Sequence, residues 1–160
     1  MTPLIDTHAH LTFPEFDADR ASVLSRAWEA GLEAIVCVGA GAGLLGNIKA
    51  IEFTRTDERL FAIVGIHPHD ADAMDDGWSN RIEEMAGDEK VVGIGEIGLD
   101  YHHMHSSKEA QRARFRELLP LRQGGKAGRH PRPRCARGRL EDHRGGGCPE
   151  GGRDLSLLFR

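Results

Sequence analysis

The stretch LIDTHAHL, residues 4–11, decides the interpretation of the fold, because a short apolar strand runs directly into a His-x-His pair. In an extended chain, side chains at positions i and i+2 point to the same side, so His8 and His10 are expected to converge at the carboxyl end of the strand. Neutral imidazole is the commonest protein ligand for Zn²⁺ and similar ions. The pattern therefore predicts a metal site, and the alternative is two surface histidines that happen to flank an alanine.

Three more apolar runs follow along the chain, at residues 34–38, 60–64 and 91–94, and each precedes a stretch of helical character. Helices are expected over about Asp17–Ala30, Leu44 to about Thr56, Trp78–Met85, and Ser106 through Leu119. Four alternating strand–helix units with continuous apolar strands predict an α/β fold with a parallel sheet covered by helices. Either an open sheet or half of an eight-stranded barrel, which needs about 250 residues, satisfies this pattern.

Two details of these helices are also predicted. The second helix is expected to bury one side made of Leu44, Leu45, Ile48, Ile51 and Phe53. Ser106 and Glu109 have capping-box spacing, so Ser106 is expected to cap the fourth helix.

A carboxylate interrupts the fourth apolar run, in the stretch VVGIGEIGLDYH at residues 91–102. Glu96 at the end of such a strand is costly to bury unless it is paired or bound to a cation, so a metal-ligand role is favoured. The glycines at 93, 95 and 98 allow the backbone to bend or to pass close to its neighbours.

Histidines also follow the third strand, in the stretch VGIHPH at residues 64–69. His67 and His69 are candidates to line the pocket near a substrate phosphate, and the alternative is a histidine that hydrogen-bonds to loop backbone. Of His102, His103 and His105 on the next loop, at most one is expected to be functional.

Charge divides the chain at about residue 120. Residues 1–120 hold 11 basic and 21 acidic groups, whereas residues 121–160 hold 10 basic and 4 acidic groups. No apolar run approaches the roughly 18 residues of a membrane span and no signal-peptide pattern opens the chain, so no membrane association and a cytoplasmic location are expected. The three cysteines imply no disulfide framework, and Cys37 is expected to be a small buried hydrophobe.

Three ordered motifs, at residues 4–11, 65–69 and 93–102, resemble the TatD-type deoxyribonucleases, which are (β/α)₈ metal-dependent hydrolases. Thr12 departs from the Asp or Asn that usually follows the first motif in that family. The resemblance implies that residues 1–120 form the first four βα units of a TIM barrel, followed by an irregular tail at residues 121–160.

By this resemblance, His8 and His10 hold one divalent cation and Glu96 bridges it to a second, the ions being Mg²⁺, Mn²⁺ or Zn²⁺. Glu96 is then the catalytic residue, and His67, His69 and His102 are the substrate-side candidates. The implied substrate is DNA, whose phosphodiester is hydrolysed at the two-metal centre. No protein partner is inferred. In this family two further histidines and an aspartate from later strands complete the metal centre. None of these three can be placed on the present sequence, so the chain is expected to be inactive.

The tail is rich in Gly, Arg and Pro from about Gly124 to Arg153. If the first base of the Ala127 codon is skipped, the codons available to residues 127–138 can encode Pro-Val-Val-Ile-His-Asp-Arg-Asp-Ala-His-Glu. The same shift applied to residues 151–160 can encode Glu-Gly-Val-Thr-Phe-His-Cys-Phe-Ser-Gly. Both are similar to the ligand strands that come next in the family. We therefore hypothesise a shift of reading frame between about Leu119 and Lys126.

Other interpretations stay open at the level of sequence. The His-x-His strand is shared with other amidohydrolase-like metallohydrolases that act on amides or phosphoesters. The tail alternatively forms a basic arm of a non-enzymatic nucleic-acid binder. A further alternative is a zinc cluster in the tail, made of His130, Cys135, His143 and Cys148.

Overall fold

A computed structural model describes residues 4–123 of the chain, with side chains through residue 121. Four strands alternate with four α-helices in this region. The strands are β1 (Leu4–Ala9), β2 (Leu32–Val38), β3 (Leu60–Val64) and β4 (Val91–Ile94). The α-helices are α1 (Arg20–Glu29), α2 (Gly43–Thr54), α3 (Trp78–Ala86) and α4 (Lys108–Gln123). Two 3₁₀ helices lie at Pro14–Phe16 and Pro68–Ala73.

The four strands form one sheet in the order β1-β2-β3-β4, and each neighbouring pair is parallel. Because successive strands are neighbours and point the same way, their carboxyl ends meet at one edge of the sheet. The predicted α/β architecture of four βα units is confirmed. The frame shift, the basic arm and the zinc cluster predicted for the tail lie outside the described residues.

The core lies where β2 and β3 pack against the helices. Its buried side chains come from both central strands and from α2, α3 and α4, and they include Ile35, Cys37, Leu60, Val64, Ala50, Ile82 and Leu118. The apolar runs of β2 and β3 are continuous because helices cover this part of the sheet. Cys37 is fully buried, and burial raises the pKa of its thiol to about 12, so it is the small hydrophobe that was expected.

Helix α2 packs Leu44, Ile51 and Phe53 against the core as predicted, but it does not bury Leu45. Leu45 is 59% exposed, whereas Gly46, Asn47, Ala50 and Thr54 are the buried residues of the helix. The helix turns this side inward because its backbone runs very close to the end of β2, where a Cβ on Gly46 would lie 2.6 Å from the carbonyl oxygen of Gly39. Smaller residues of α2 therefore face the sheet and Leu45 faces away from it, so the prediction for Leu45 was wrong.

The buried amide of Asn47 continues the hydrogen bonding beyond the end of β3. Its Nδ2 donates to the carbonyl oxygen of Gly65 at 3.0 Å, and the Gly65 backbone N–H donates to its Oδ1 at 2.8 Å. Both backbone groups of Gly65 are therefore satisfied away from water, where an unmade hydrogen bond costs about 1–3 kcal/mol. This pairing fixes the segment that leads from β3 to His67.

The start and end of α4 also differ from the prediction. The hydroxyl of Ser107 accepts from the Ala110 backbone N–H at 3.2 Å, so Ser107 is the capping residue and the prediction for Ser106 was wrong. The Ser106 hydroxyl instead donates to the His69 carbonyl oxygen at 2.7 Å, which joins two loops. At its other end α4 continues through Pro120 to Gln123, beyond the predicted end near Leu119.

In the described part of the chain, no helix has the length and apolar character that a membrane crossing requires. β1 and β4 each have a single neighbour among the described strands, so each has one edge that pairs with no other described strand. On β1 this edge carries large apolar side chains, since Leu4 is 57% exposed and Ile5 is 52% exposed.

An open strand edge with exposed apolar side chains favours pairing with a second copy of the chain. We expect the purified chain to self-associate, and Ile5→Lys to shift it towards the monomer because a charge on the edge opposes strand pairing. Size-exclusion chromatography with light scattering measures the shift. Leu45→Lys, at an exposed leucine on α2, is the matched control and should leave the degree of association almost unchanged. The prediction is contradicted if both variants shift the association equally, or if the wild-type chain is a monomer that unfolds cooperatively.

Candidate functional site

His8, His10 and Glu96 come together over the carboxyl edge of the sheet. His8 lies within β1, His10 follows that strand directly, and Glu96 lies just after β4. Strands are spaced about 4.8 Å apart, so two outer strands of a flat four-stranded sheet would lie about 14 Å apart. The side chains nevertheless meet, which means that they reach towards each other over the ends of β2 and β3.

The three side chains have the spacing that a small metal ion requires. His8 Nε2 lies 3.2 Å from His10 Nε2, 3.6 Å separates His8 Nε2 from Glu96 Oε1, and 3.7 Å separates His10 Nε2 from Glu96 Oε2. Ligands bound to Zn²⁺ at 2.0–2.2 Å in a tetrahedral site lie about 3.3 Å from one another. The donor set and its spacing therefore fit a divalent ion among these residues.

Burial keeps His10 in the form that binds metals. Desolvation lowers the pKa of His10, the charge of Glu96 partly opposes this, and the neighbouring His8 adds to the lowering. The ring thus favours the neutral state at pH 7 and offers a lone pair at Nε2. Its other ring nitrogen, Nδ1, is buried and has no hydrogen-bond partner among the described residues.

His67 follows β3 and has a defined orientation. Its Nδ1 accepts a hydrogen bond from the His69 backbone N–H at 3.2 Å, so the proton of the neutral ring is on Nε2. Burial lowers the pKa of His67, while the charge of Glu96 raises it in part. A neutral ring with one fixed N–H donor is suited to bind an anionic oxygen such as that of a phosphate.

A second group forms around Asp100, which we call the Asp100 cluster and define as His69, Asp100 and His103. The Asp100 Oδ2 accepts from His69 Nε2 and from His103 Nδ1, each at 2.7 Å. Backbone N–H donation from His103 is the largest cause that lowers the pKa of Asp100, followed by the side chains of His69 and His103. Asp100 therefore stays ionised.

The structure separates the remaining histidine candidates. The sequence singled out His102. In the structure, the His103 side chain is the one that binds the Asp100 carboxylate together with His69. The His102 ring is exposed and packs against the His103 ring at a centroid distance of 4.8 Å. Sequence reasoning did not single out Asp100, and it named His103 only as one of three histidines of which at most one was expected to be functional. The signal that was available is the Asp two residues before a pair of histidines, because an Asp at a turn commonly accepts from the backbone two residues further on.

Comparison with known proteins identifies the family. A family model described as TatD related DNase matches residues 5–122. The chain belongs to this family. The match covers all three sequence motifs, and so the resemblance predicted from them is confirmed.

Individual relatives of this TatD-family chain agree with the match. It is 39% identical over 118 residues to a protein of Bacillus subtilis named uncharacterized metal-dependent hydrolase YabD, a span of 74% of this chain and 46% of the relative. It is 35% identical to the 3'-5' ssDNA/RNA exonuclease TatD of Cronobacter sakazakii, over 74% of this chain and 44% of the relative. The chain spans about half the length of the curated relatives it matches.

A solved structure supports the partial-barrel prediction. The TatD homologue YjjV from Escherichia coli superimposes with a TM-score of 0.65 at 30% identity, over 74% of this chain and 46% of that structure. The βα units of this TatD-family chain thus match part of a TatD fold, in agreement with the first four units of a TIM barrel.

The position of Glu96 depends on a close contact between backbones. A Cβ on Gly65 would lie 2.8 Å from the carbonyl carbon of Gly95 and 3.0 Å from the carbonyl oxygen of Glu96. We expect Gly65→Ala to displace the segment that carries Glu96 and to weaken the binding of Zn²⁺ or Mn²⁺ by about tenfold or more, as misplaced ligands do. Gly98→Ala, where a Cβ meets nothing within 4 Å, is the control. Equal titration curves for both variants by calorimetry would refute the expectation.

The two histidines with lowered pKa predict the dependence of stability on pH. Because the pKa values of His10 and His67 are lower in the folded chain, the unfolded chain binds more protons below about pH 6.5. The free energy of unfolding should therefore fall between about pH 7.5 and about pH 5.5 in the presence of a chelator. Urea unfolding at both values measures this, and His67→Gln should reduce the difference while His102→Gln should not. A difference that is the same in all three proteins would contradict the assignment.

Proposed function

We propose that this chain is the metal-binding amino-terminal part of a nuclease that hydrolyses DNA phosphodiester bonds. The observation that carries the proposal is the convergence of His8 Nε2, His10 Nε2 and the Glu96 carboxylate at separations of 3.2–3.7 Å. Membership of the TatD related DNase family supports a hydrolase, and the name of the Cronobacter sakazakii relative supports a single-stranded nucleic acid as substrate. Residues 1–120 are the part of the chain to which the proposal applies.

In this proposal His8 and His10 hold a divalent ion through their Nε2 atoms, since both nitrogens face the carboxylate. Glu96 directs one oxygen towards each imidazole, and a carboxylate with two separately placed oxygens has the means to bridge two ions. Divalent ions held there would supply positive charge that stabilises the negative charge developing on the phosphate oxygens during hydrolysis. Mn²⁺ and Zn²⁺ suit a site of two imidazoles and a carboxylate, whereas Mg²⁺ would bind there with further oxygen ligands from water or the phosphate.

The substrate would be oriented by histidines that follow β3. His67 presents a fixed N–H donor on Nε2, which binds and orients a non-bridging phosphate oxygen. The ring is half-buried, and because burial lowers its pKa it favours the neutral state at pH 7 and donates through Nε2 without carrying a charge. Glu96 lies near enough for its charge to act on the His67 ring as well as on His10, so a phosphate bound to an ion at Glu96 would lie near the His67 donor.

We further propose that the chain of 160 residues hydrolyses DNA poorly by itself. The resemblance adds two histidines and an aspartate to the metal centre, and residues 4–121 provide His8, His10 and Glu96 as the group that meets above the sheet. Three ligands hold an ion, but a second ion bound through Glu96 alone would be weakly held, and the developing charge would then be stabilised less.

Metal binding tests the proposal directly. We expect calorimetric titration with Mn²⁺ to show an ion whose affinity falls by about tenfold or more in His8→Ala, His10→Ala and Glu96→Gln, because each change removes a ligand. The exposed His102→Ala is the matched control and should bind like the wild type. If the three variants bind as the wild type does, the site is not a metal centre.

Substrate assays separate this function from its rivals. With Mg²⁺ or Mn²⁺ added, single-stranded DNA should be cut in preference to a phosphomonoester and a cyclic amide, and any activity should disappear in His8→Ala. Preference for the amide or the monoester would favour another metallohydrolase on the same fold. DNA binding that survives His8→Ala and is lost on deletion of residues 121–160 would favour the non-enzymatic basic arm.

A further inference from the structure

The Asp100 cluster has the make-up of a metal site but plays no part in the function proposed from His8, His10 and Glu96. One ligand atom each from His69, Asp100 and His103 lies within 4.8 Å of the other two. His69 comes from the 3₁₀ helix after β3, and the other two residues come from the loop after β4. Two imidazoles and one carboxylate are a ligand set that Zn²⁺ and related ions accept.

We propose that His69, Asp100 and His103 form a second binding site, for a divalent transition-metal ion of the Zn²⁺ type. The ion would replace the two hydrogen bonds that now join both rings to the Asp100 Oδ2. Those bonds are 2.7 Å long, and ligands around Zn²⁺ lie about 3.3 Å apart, so each ring needs to move by about 0.6 Å. Movement of this size is within the reach of exposed or half-exposed rings, and His103 is the more exposed of the two.

The carboxylate is already held as a metal-binding carboxylate usually is. Its second oxygen, Oδ1, accepts from the backbone N–H groups of His102 at 2.9 Å and His103 at 3.0 Å. Such outer hydrogen bonds orient a ligand before the ion arrives, and they leave Oδ2 directed at the two rings. The His103 backbone N–H, which an ion would leave in place, is also the largest cause that lowers the pKa of Asp100 and keeps its carboxylate charged.

The two loops that supply the ligands are also fastened to each other. The buried Gln111 side chain accepts from the Asp100 backbone N–H at 2.7 Å and donates to the Asp100 and Ser106 carbonyl oxygens, each at 2.9 Å. Ser106 donates in turn to the carbonyl oxygen of His69. The backbone of His69 and Asp100 is therefore fixed independently of the rings, and this lowers the entropy lost on binding an ion.

The nearby ring of His105 indicates how the coordination would be completed. It lies 4.4 Å from the His69 ring by centroid and is nearly parallel to the His103 ring. A fourth imidazole or a water would complete a tetrahedral shell at this exposed position. A site rich in nitrogen donors favours Zn²⁺ over Mg²⁺, because Mg²⁺ prefers oxygen ligands and retains its waters. In this site His69 is a metal ligand instead of a substrate-side residue.

The experiment uses the full 160-residue chain with His8→Ala, His10→Ala, Cys135→Ser and Cys148→Ser, which removes the first site and the thiols of the tail. Zn²⁺ is titrated by calorimetry, with Co²⁺ absorption as a second readout of tetrahedral nitrogen and oxygen coordination. We expect one ion to bind, Mg²⁺ not to compete, and His103→Ala or Asp100→Asn to weaken Zn²⁺ binding by about tenfold or more.

His102→Ala in the same background is the matched control, since that ring is exposed on the same loop and is not a member of the cluster. It should leave binding unchanged, and far-UV circular dichroism should be the same for all variants. The proposal is overturned if the background chain binds no Zn²⁺, if His103→Ala and Asp100→Asn bind as tightly as the background, or if His102→Ala weakens binding equally. Because the first site is absent throughout, these outcomes are independent of the test of the nuclease proposal.

Discussion

The contact between Gly65 and the Gly95–Glu96 backbone is the constraint on which the arrangement of the site depends. No room for a Cβ exists at Gly65, so β3 and β4 approach closely where both strands end. The Asn47 amide holds Gly65 from the other side, and Asn47 itself reaches the strand because Gly46 lets α2 lie against the end of β2. Small residues and one buried amide thus set the distance between the strands, and that distance places Glu96 above the sheet and His67 beside it.

The strands and the general architecture were predictable because their sequence signals are local. β3 and β4 begin and end where their apolar runs do, since a charged residue precedes each run and a glycine follows it. The predictions failed where a contact with a residue far away in the sequence determines which side chain is buried or which residue caps a helix. Leu45 faces outward because α2 must present glycine and asparagine to the sheet, and Ser106 does not cap α4 because its hydroxyl is engaged by the loop that carries His69. No periodicity in the helix contains that information.

The site was predictable where an extended backbone determines the direction in which side chains point. In a strand the alternation of side chains brings His8 and His10 to one side, and a lone carboxylate after an apolar strand points to the same edge. The loop after β4 has no such regularity. Its path follows from Asp100, which accepts from two backbone N–H groups of the turn, and this turn directs the His103 ring towards the Asp100 carboxylate, which His69 also contacts. Composition and spacing do not distinguish two adjacent histidines in a turn.

The ligands of the candidate centre come from the first and the last strand of the sheet, and this has a consequence for the chain as a polymer. An ion bound by His8 and Glu96 would act as a reversible cross-link that closes residues 8–96, which include all of β2 and β3, into one loop. Loop closure of this length removes much of the conformational freedom of the unfolded chain, as a long-range disulfide does. Every ion bound to the folded state in preference to the unfolded state adds stability that depends on its concentration. The supply of free metal would thus set how much stability the folded chain gains.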